Sequence, residues 1–150
     1  MVENEVSGQS DFWITGGKLS NTRTDTTEIV SLTESKVGVT LPFSVYKHCL
    51  VKVNSSTIVL IGGWNGQTSG ETWFFHTNAE PWQKVRGPDL NIARIYPGCQ
   101  VYDFQDDKYL VVTGGYKMKS TEFLNVKNTA WIQGKLQLFY VEFISSKSTF

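Results

Sequence analysis

Large apolar residues along this chain come in short runs, and three of those runs stop at a pair of glycines. Phe12-Trp13-Ile14-Thr15 precedes Gly16-Gly17, Ile58-Val59-Leu60-Ile61 precedes Gly62-Gly63, and Leu110-Val111-Val112-Thr113 precedes Gly114-Gly115. The pairs start 46 and then 52 residues apart. A structural unit of about fifty residues, repeated and diverged, produces such spacing. Runs this short and this apolar predict strands covered on both faces. Helical periodicity is absent from every stretch, which predicts an all-β chain.

The middle unit reads most clearly, as four strands over residues 47–53, 57–61, 72–76 and 82–85. Asn54-Ser55-Ser56 is turn chemistry, so the first two strands form a hairpin. Gly62-Gly63 ends the second strand, where positive φ or a missing side chain is needed. The third unit repeats the order, with strands at 99–102, 109–113 and 121–126 and then Trp131. The first unit reads as less complete: a strand over 12–17, a loop over 18–26, a strand over 28–32, and no late tryptophan.

Four-stranded units that end an inner strand in Gly-Gly and carry a late Trp resemble the kelch repeat, over about residues 10–134. In that family Gly-Gly ends the second strand of a propeller blade, an acidic or aromatic residue opens the third, and a Trp lies on the fourth. Gly62-Gly63 with Trp82 matches this, as do Gly114-Gly115 with Glu122, Phe123 and Trp131. Arg94 matches the arginine that the family often places before the first strand; the corresponding stretch of the middle unit has only Lys47. The resemblance implies kelch-type blades of four antiparallel strands, with units at about 10–41, 42–91 and 92–134.

A propeller closes with typically 4–8 blades, so about three blades are an incomplete propeller. After Gly134 the resemblance stops, leaving a strand expected over 136–144 and a polar tail within the divergent segment 135–150. Three explanations stand open: a fragment of a longer propeller, a chain closing by oligomerisation, or a truncated product with a foreign tail, with the first and third preferred. Open blade faces would favour self-association.

Composition narrows the function. Of 150 residues, 40% are hydrophobic and 19% charged, as in a globular protein, and 14 basic residues cancel 14 acidic ones. With no Lys/Arg cluster, nucleic acid is not an expected partner. The longest apolar runs are far short of the roughly 20 residues that cross a bilayer, and the polar start Met1-Val2-Glu3-Asn4-Glu5 has no signal-peptide pattern, so no membrane is expected and the location reads as cytoplasmic. Cys49 and Cys99 stand 50 apart at matching places in successive units. Such positions are expected to lie too far apart to bridge, so both read as small buried hydrophobes.

Candidate chemistry is sparse. His48 and His76 are the only histidines, and nothing in their spacing joins them, so no metal, cofactor or catalytic set is expected. Trp13, Trp73, Phe74, Trp82 and Trp131 read as core. What remains is the loops, because connections escape the packing constraints on strands. Segments after the Gly-Gly pairs carry Arg23, Trp64, Asn65, Tyr116 and Lys117; segments leading into first strands carry Tyr46, Arg94 and Tyr96. Arg, Tyr and Trp dominate binding hot spots, so these eight are the candidate partner-binding residues. The resemblance implies a protein-interaction module, such as the substrate-recognition part of a ubiquitin-ligase adaptor or a cytoskeletal binder. The alternative is a fragment of a copper enzyme similar to galactose oxidase, which would need a Tyr-Cys pair, more histidine and a secreted chain.

Overall fold

A computed structural model describes residues 2–6 and 9–134, with side chains from residue 12 onward. The strand expected over 136–144 lies outside the described residues. Twelve strands and no helix are present among those described: β1 (Val2–Val6), β2 (Gln9–Leu19), β3 (Thr22–Val30), β4 (Ser35–Val37), β5 (Cys49–Asn54), β6 (Thr57–Ile61), β7 (Thr72–His76), β8 (Gln83–Arg86), β9 (Gly98–Phe104), β10 (Asp107–Thr113), β11 (Thr121–Asn125) and β12 (Ile132–Gly134). They form three four-stranded antiparallel sheets, each from four consecutive strands paired in chain order. Among the described residues these sheets do not close into a ring.

The apolar run of β6 explains the stacking. Its five residues are all buried, and their side chains alternate between faces. Ile58 and Leu60 join Trp13, Leu41, Val45 and Phe75 in one core, between the first and second sheets. Val59 and Ile61 join Leu110, Val112, Leu124 and Trp131 in another, between the second and third. Each such side chain contributes about 1.5–3 kcal/mol by leaving water. The second sheet is therefore the middle layer, and the continuous run is what a sheet with two covered faces requires.

The repeat holds at the level of single hydrogen bonds. Gly17 N–H donates to Val45 O, and Gly63 N–H donates to Arg94 O, both at 2.8 Å. Gly17 and Gly63 thus each tie their own sheet to the segment leading into the next. Gly63 has φ 101°, and a Cβ there would press on Val45, Tyr46 O and His48, so this position demands glycine twice over.

Three expectations need correction. The first unit is a complete four-stranded sheet, not a partial one. The loop expected over 18–26 is a hairpin instead: Ser20-Asn21 forms its turn, Ser20 adopts φ 53°, and the threonines at 22, 24, 26 and 27 suit a strand. Gly16-Gly17 consequently lies inside β2, where the register shifts between Thr15 and Gly17, rather than at a strand end. Its fourth strand, β4, is exposed throughout and carries no Trp; Trp82 and Trp131 stand just before the fourth strands of their sheets. The two cysteines, expected unpaired, form a Cys49–Cys99 disulfide with Cα atoms 6.0 Å apart. Equivalent positions were expected to be distant. They meet because the first strands of successive sheets, β5 and β9, run side by side.

Candidate functional site

At the Gly-Gly end of the strands, the segments leading into first strands lie against the segments that follow each glycine pair. Trp64 N–H donates to Tyr46 O at 2.8 Å and Tyr46 N–H to Trp64 O at 3.3 Å. Tyr116 N–H donates to Ile95 O at 2.8 Å, which makes Trp64 and Tyr116 equivalent, as are Tyr46 and Ile95. One sheet connects to the next through Tyr96 N–H donating to Lys47 O at 2.8 Å. Lys47 and Tyr96 occupy the same place in their units and both take left-handed backbone, φ 61° and 56°.

The result is a rim of alternating cations and aromatic rings. Lys47 Nζ lies 5.1 Å from the centre of the Tyr46 ring and 4.7 Å from that of Tyr96. Lys18 Nζ stands 5.8 Å from Tyr46, and Lys117 Nζ 5.3 Å from Tyr116. Such contacts contribute about 0.5–1 kcal/mol where exposed. Tyr96 and Tyr116 remain more than half exposed, at 59% and 58%. A cavity of about 450 Å³ opens on this rim, lined by Lys18, Asn21, Thr22, Arg23, Ser44, Tyr46 and Trp64.

Of the eight expected residues, then, the cavity gathers Arg23, Tyr46 and Trp64. Tyr96 is joined to Tyr46 through Lys47, whereas Tyr116 and Lys117 stand exposed on the third sheet's loop. Asn65 is half-buried, its Nδ2 donating to Glu71 Oε1 at 3.5 Å. Arg94 is no surface residue at all: it is fully buried. All five of its donors are used. Nε and Nη2 bond Glu122 Oε1 at 3.3 and 2.8 Å, Nη1 bonds Gly114 O and Ser120 O at 2.8 Å, and Nη2 bonds Ser120 Oγ at 2.9 Å. Glu122, itself fully buried, also accepts from Asn91 N, Asn91 Nδ2 and Ile92 N. Arg94 therefore braces from within the loop that carries Tyr116 and Lys117.

The histidines serve packing. His48 Nε2 hydrogen-bonds Thr15 Oγ1 at 2.7 Å, joining the first two sheets, and burial pushes its pKa down to about 4. His76 Nδ1 lies 3.3 Å from Thr57 Oγ1 on the neighbouring strand. Trp13 and Trp131 are buried, and Trp73, Phe74 and Trp82 pack against the two cores.

Two repeated positions escaped the sequence reading. Thr27, Thr72 and Thr121 are buried at matching places in the third strand of each sheet. Opposite them lie Gly38, Gly87 and Gly134: Gly38 N–H and Gly87 N–H bond the threonine carbonyls, and Gly134 pairs with Thr121 in the ladder. Phe74 and Phe123 cover Gly87 and Gly134, where a Cβ would overlap the ring. The signal was present as threonines 45 and 49 apart and glycines 49 and 47 apart. Isolated Thr and Gly residues are common, so these spacings do not stand out without the register.

The class so defined is an all-β chain of three repeated four-stranded antiparallel sheets with a cationic, aromatic rim. No helix among the described residues is long and apolar enough to cross a membrane. No protein-family model matches the chain, and no curated protein matches it.

Proposed function

We propose that the chain is a protein-interaction module of kelch type, an incomplete propeller of about three blades whose Gly-Gly rim binds a protein partner. The single observation that carries this is the cavity in which Arg23, Tyr46 and Trp64 meet. These are the residue types whose large, rigid contact area and charge dominate interfaces. Lys18, Arg23, Lys47 and Lys117 add positive charge along the rim, which suits a partner segment bearing carboxylates. The repeated Gly-Gly hydrogen bonds to the next unit support the blade reading. A cytoplasmic location belongs to the same reading.

A displayed peptide library panned against the full chain tests this. The expected result is enrichment of acidic sequences, lost when Arg23, Tyr46 and Trp64 are all changed to alanine in a variant that still melts cooperatively. Enrichment that survives the triple change removes the rim from the reading. Arg94→Ala is unsuitable here, because it breaks a buried ion pair.

A further inference from the structure

At the opposite end of the strands, a second cavity of about 610 Å³ opens between the first and second sheets. Its size falls in the range of small-molecule sites. Trp82 forms its aromatic wall, backed by the buried Trp13 at a ring-centroid distance of 5.2 Å in an edge arrangement, with Ile29 and Val39 beside them. Lys36 and Glu80 also line it, so the cavity is apolar on one side and charged on another.

Trp13 is 1% exposed, yet its Nε1–H has no hydrogen-bond partner among the described residues. Two other indoles are paired: Trp131 Nε1 donates to Pro88 O at 3.0 Å, and Trp73 Nε1 to Glu71 Oε2 at 2.8 Å. A buried donor left unpaired costs about 1–3 kcal/mol, and such groups in folded proteins call for a reason. Gly38 marks where this donor lies. It lines the cavity, and a Cβ built on it would stand 3.3 Å from Trp13 Nε1. The same Cβ would overlap Thr27 Oγ1, whose hydroxyl donates to Val39 O, so the Gly38 backbone lies beside the donor just after the short, exposed edge strand β4.

We propose that this cavity binds a small flat molecule that carries a carbonyl acceptor. Its ring packs on Trp82, and its oxygen accepts the Trp13 Nε1–H as the Gly38 backbone shifts aside. The site is separate from the rim, and neither proposal depends on the other.

The test follows the Trp13 indole N–H resonance of the full chain, assigned by its loss in Trp13→Phe, during titration with acetophenone or with ethylbenzene, which has no acceptor. Acetophenone is expected to move the resonance downfield to saturation, with ethylbenzene moving it little. Trp82→Ala should weaken acetophenone binding about tenfold through the lost ring contact. Ser55→Trp, at a turn lining the cavity, should block binding without touching Trp13 and serves if Trp82→Ala does not fold. A resonance that neither compound moves, that both move equally, or that responds unchanged in Ser55→Trp overturns the proposal.

Discussion

Arg94 and Glu122 form an ion pair, Nη2 to Oε1 at 2.8 Å, with both side chains fully shielded from solvent. The pair joins the segment leading into the third sheet to the start of β11, and its arginine also holds the loop between Gly114 and Ser120. Desolvating two charges is costly, so the pair is tolerable only because every Arg94 donor and several backbone N–H groups complete it. Arg94→Ala should lower unfolding free energy by about 3–5 kcal/mol in denaturant titrations, because it leaves a carboxylate buried without its cation. Arg94→Ala combined with Glu122→Gln should lose less than Arg94→Ala alone. Strict additivity would contradict the coupling.

The Cys49–Cys99 bond closes a chain segment with a sequence separation of 50. Chain entropy alone assigns a loop of that length about 4 kcal/mol of stabilisation. Cys49→Ser with Cys99→Ser, or a thiol reductant on the unaltered chain, should lower the denaturant midpoint by a corresponding amount. An unchanged midpoint on reduction would mean that β5 and β9 need no covalent tie.

Burial disfavours the His48 imidazolium and pushes its pKa from the ordinary 6.5 down to about 4. The unfolded chain binds the proton first as pH falls. Stability from this residue is therefore complete above about pH 6.5 and is lost progressively down to about pH 4. The shift corresponds to about 3 kcal/mol at most. His48→Gln should flatten that part of the stability–pH curve in chemical denaturation; an equally steep curve would assign the slope to other groups.

The two second glycines of the first pairs separate backbone strain from crowding. A Cβ at Gly17 meets nothing within 4 Å, but φ is 128°; at Gly63 φ is 101° and the Cβ would also strike His48, Val45 and Tyr46 O. Gly17→Ala should cost about 1–3 kcal/mol from backbone strain alone. Gly63→Ala should cost more, as read from thermal midpoints. Equal losses would show that the neighbours at Gly63 yield freely.

Much of this was legible because it is repeated. The run 58–61 announced a strand covered on both faces, and the spacing of the glycine pairs announced the unit. Asn54 announced its turn and accepts from Ser56 N–H at 2.9 Å. The rim was legible in part, since Tyr46 and Trp64 were expected in loops and meet in one cavity with Arg23, which lies on strand β3 rather than in the expected loop. Arg94 was not, because its position before a strand is the same whether the side chain turns outward or beneath the loop. Its counterpart in the second unit is the buried Val45, so no repeated residue type warned of the pair. The disulfide was missed for a related reason: sequence spacing places two residues in equivalent units but says nothing of how closely first strands converge.

The central claim is that the Gly-Gly rim is the binding face, and titration calorimetry with a peptide selected against the full chain tests it most directly. Alanine at Arg23, Tyr46 and Trp64 together should weaken binding at least tenfold, a loss of about 1.4 kcal/mol or more. Alanine at Asp106 and Asn128, in turns at the far end of the third sheet, should leave binding unchanged. Unchanged affinity in the rim variant, with loss in the far-end variant, would contradict the account.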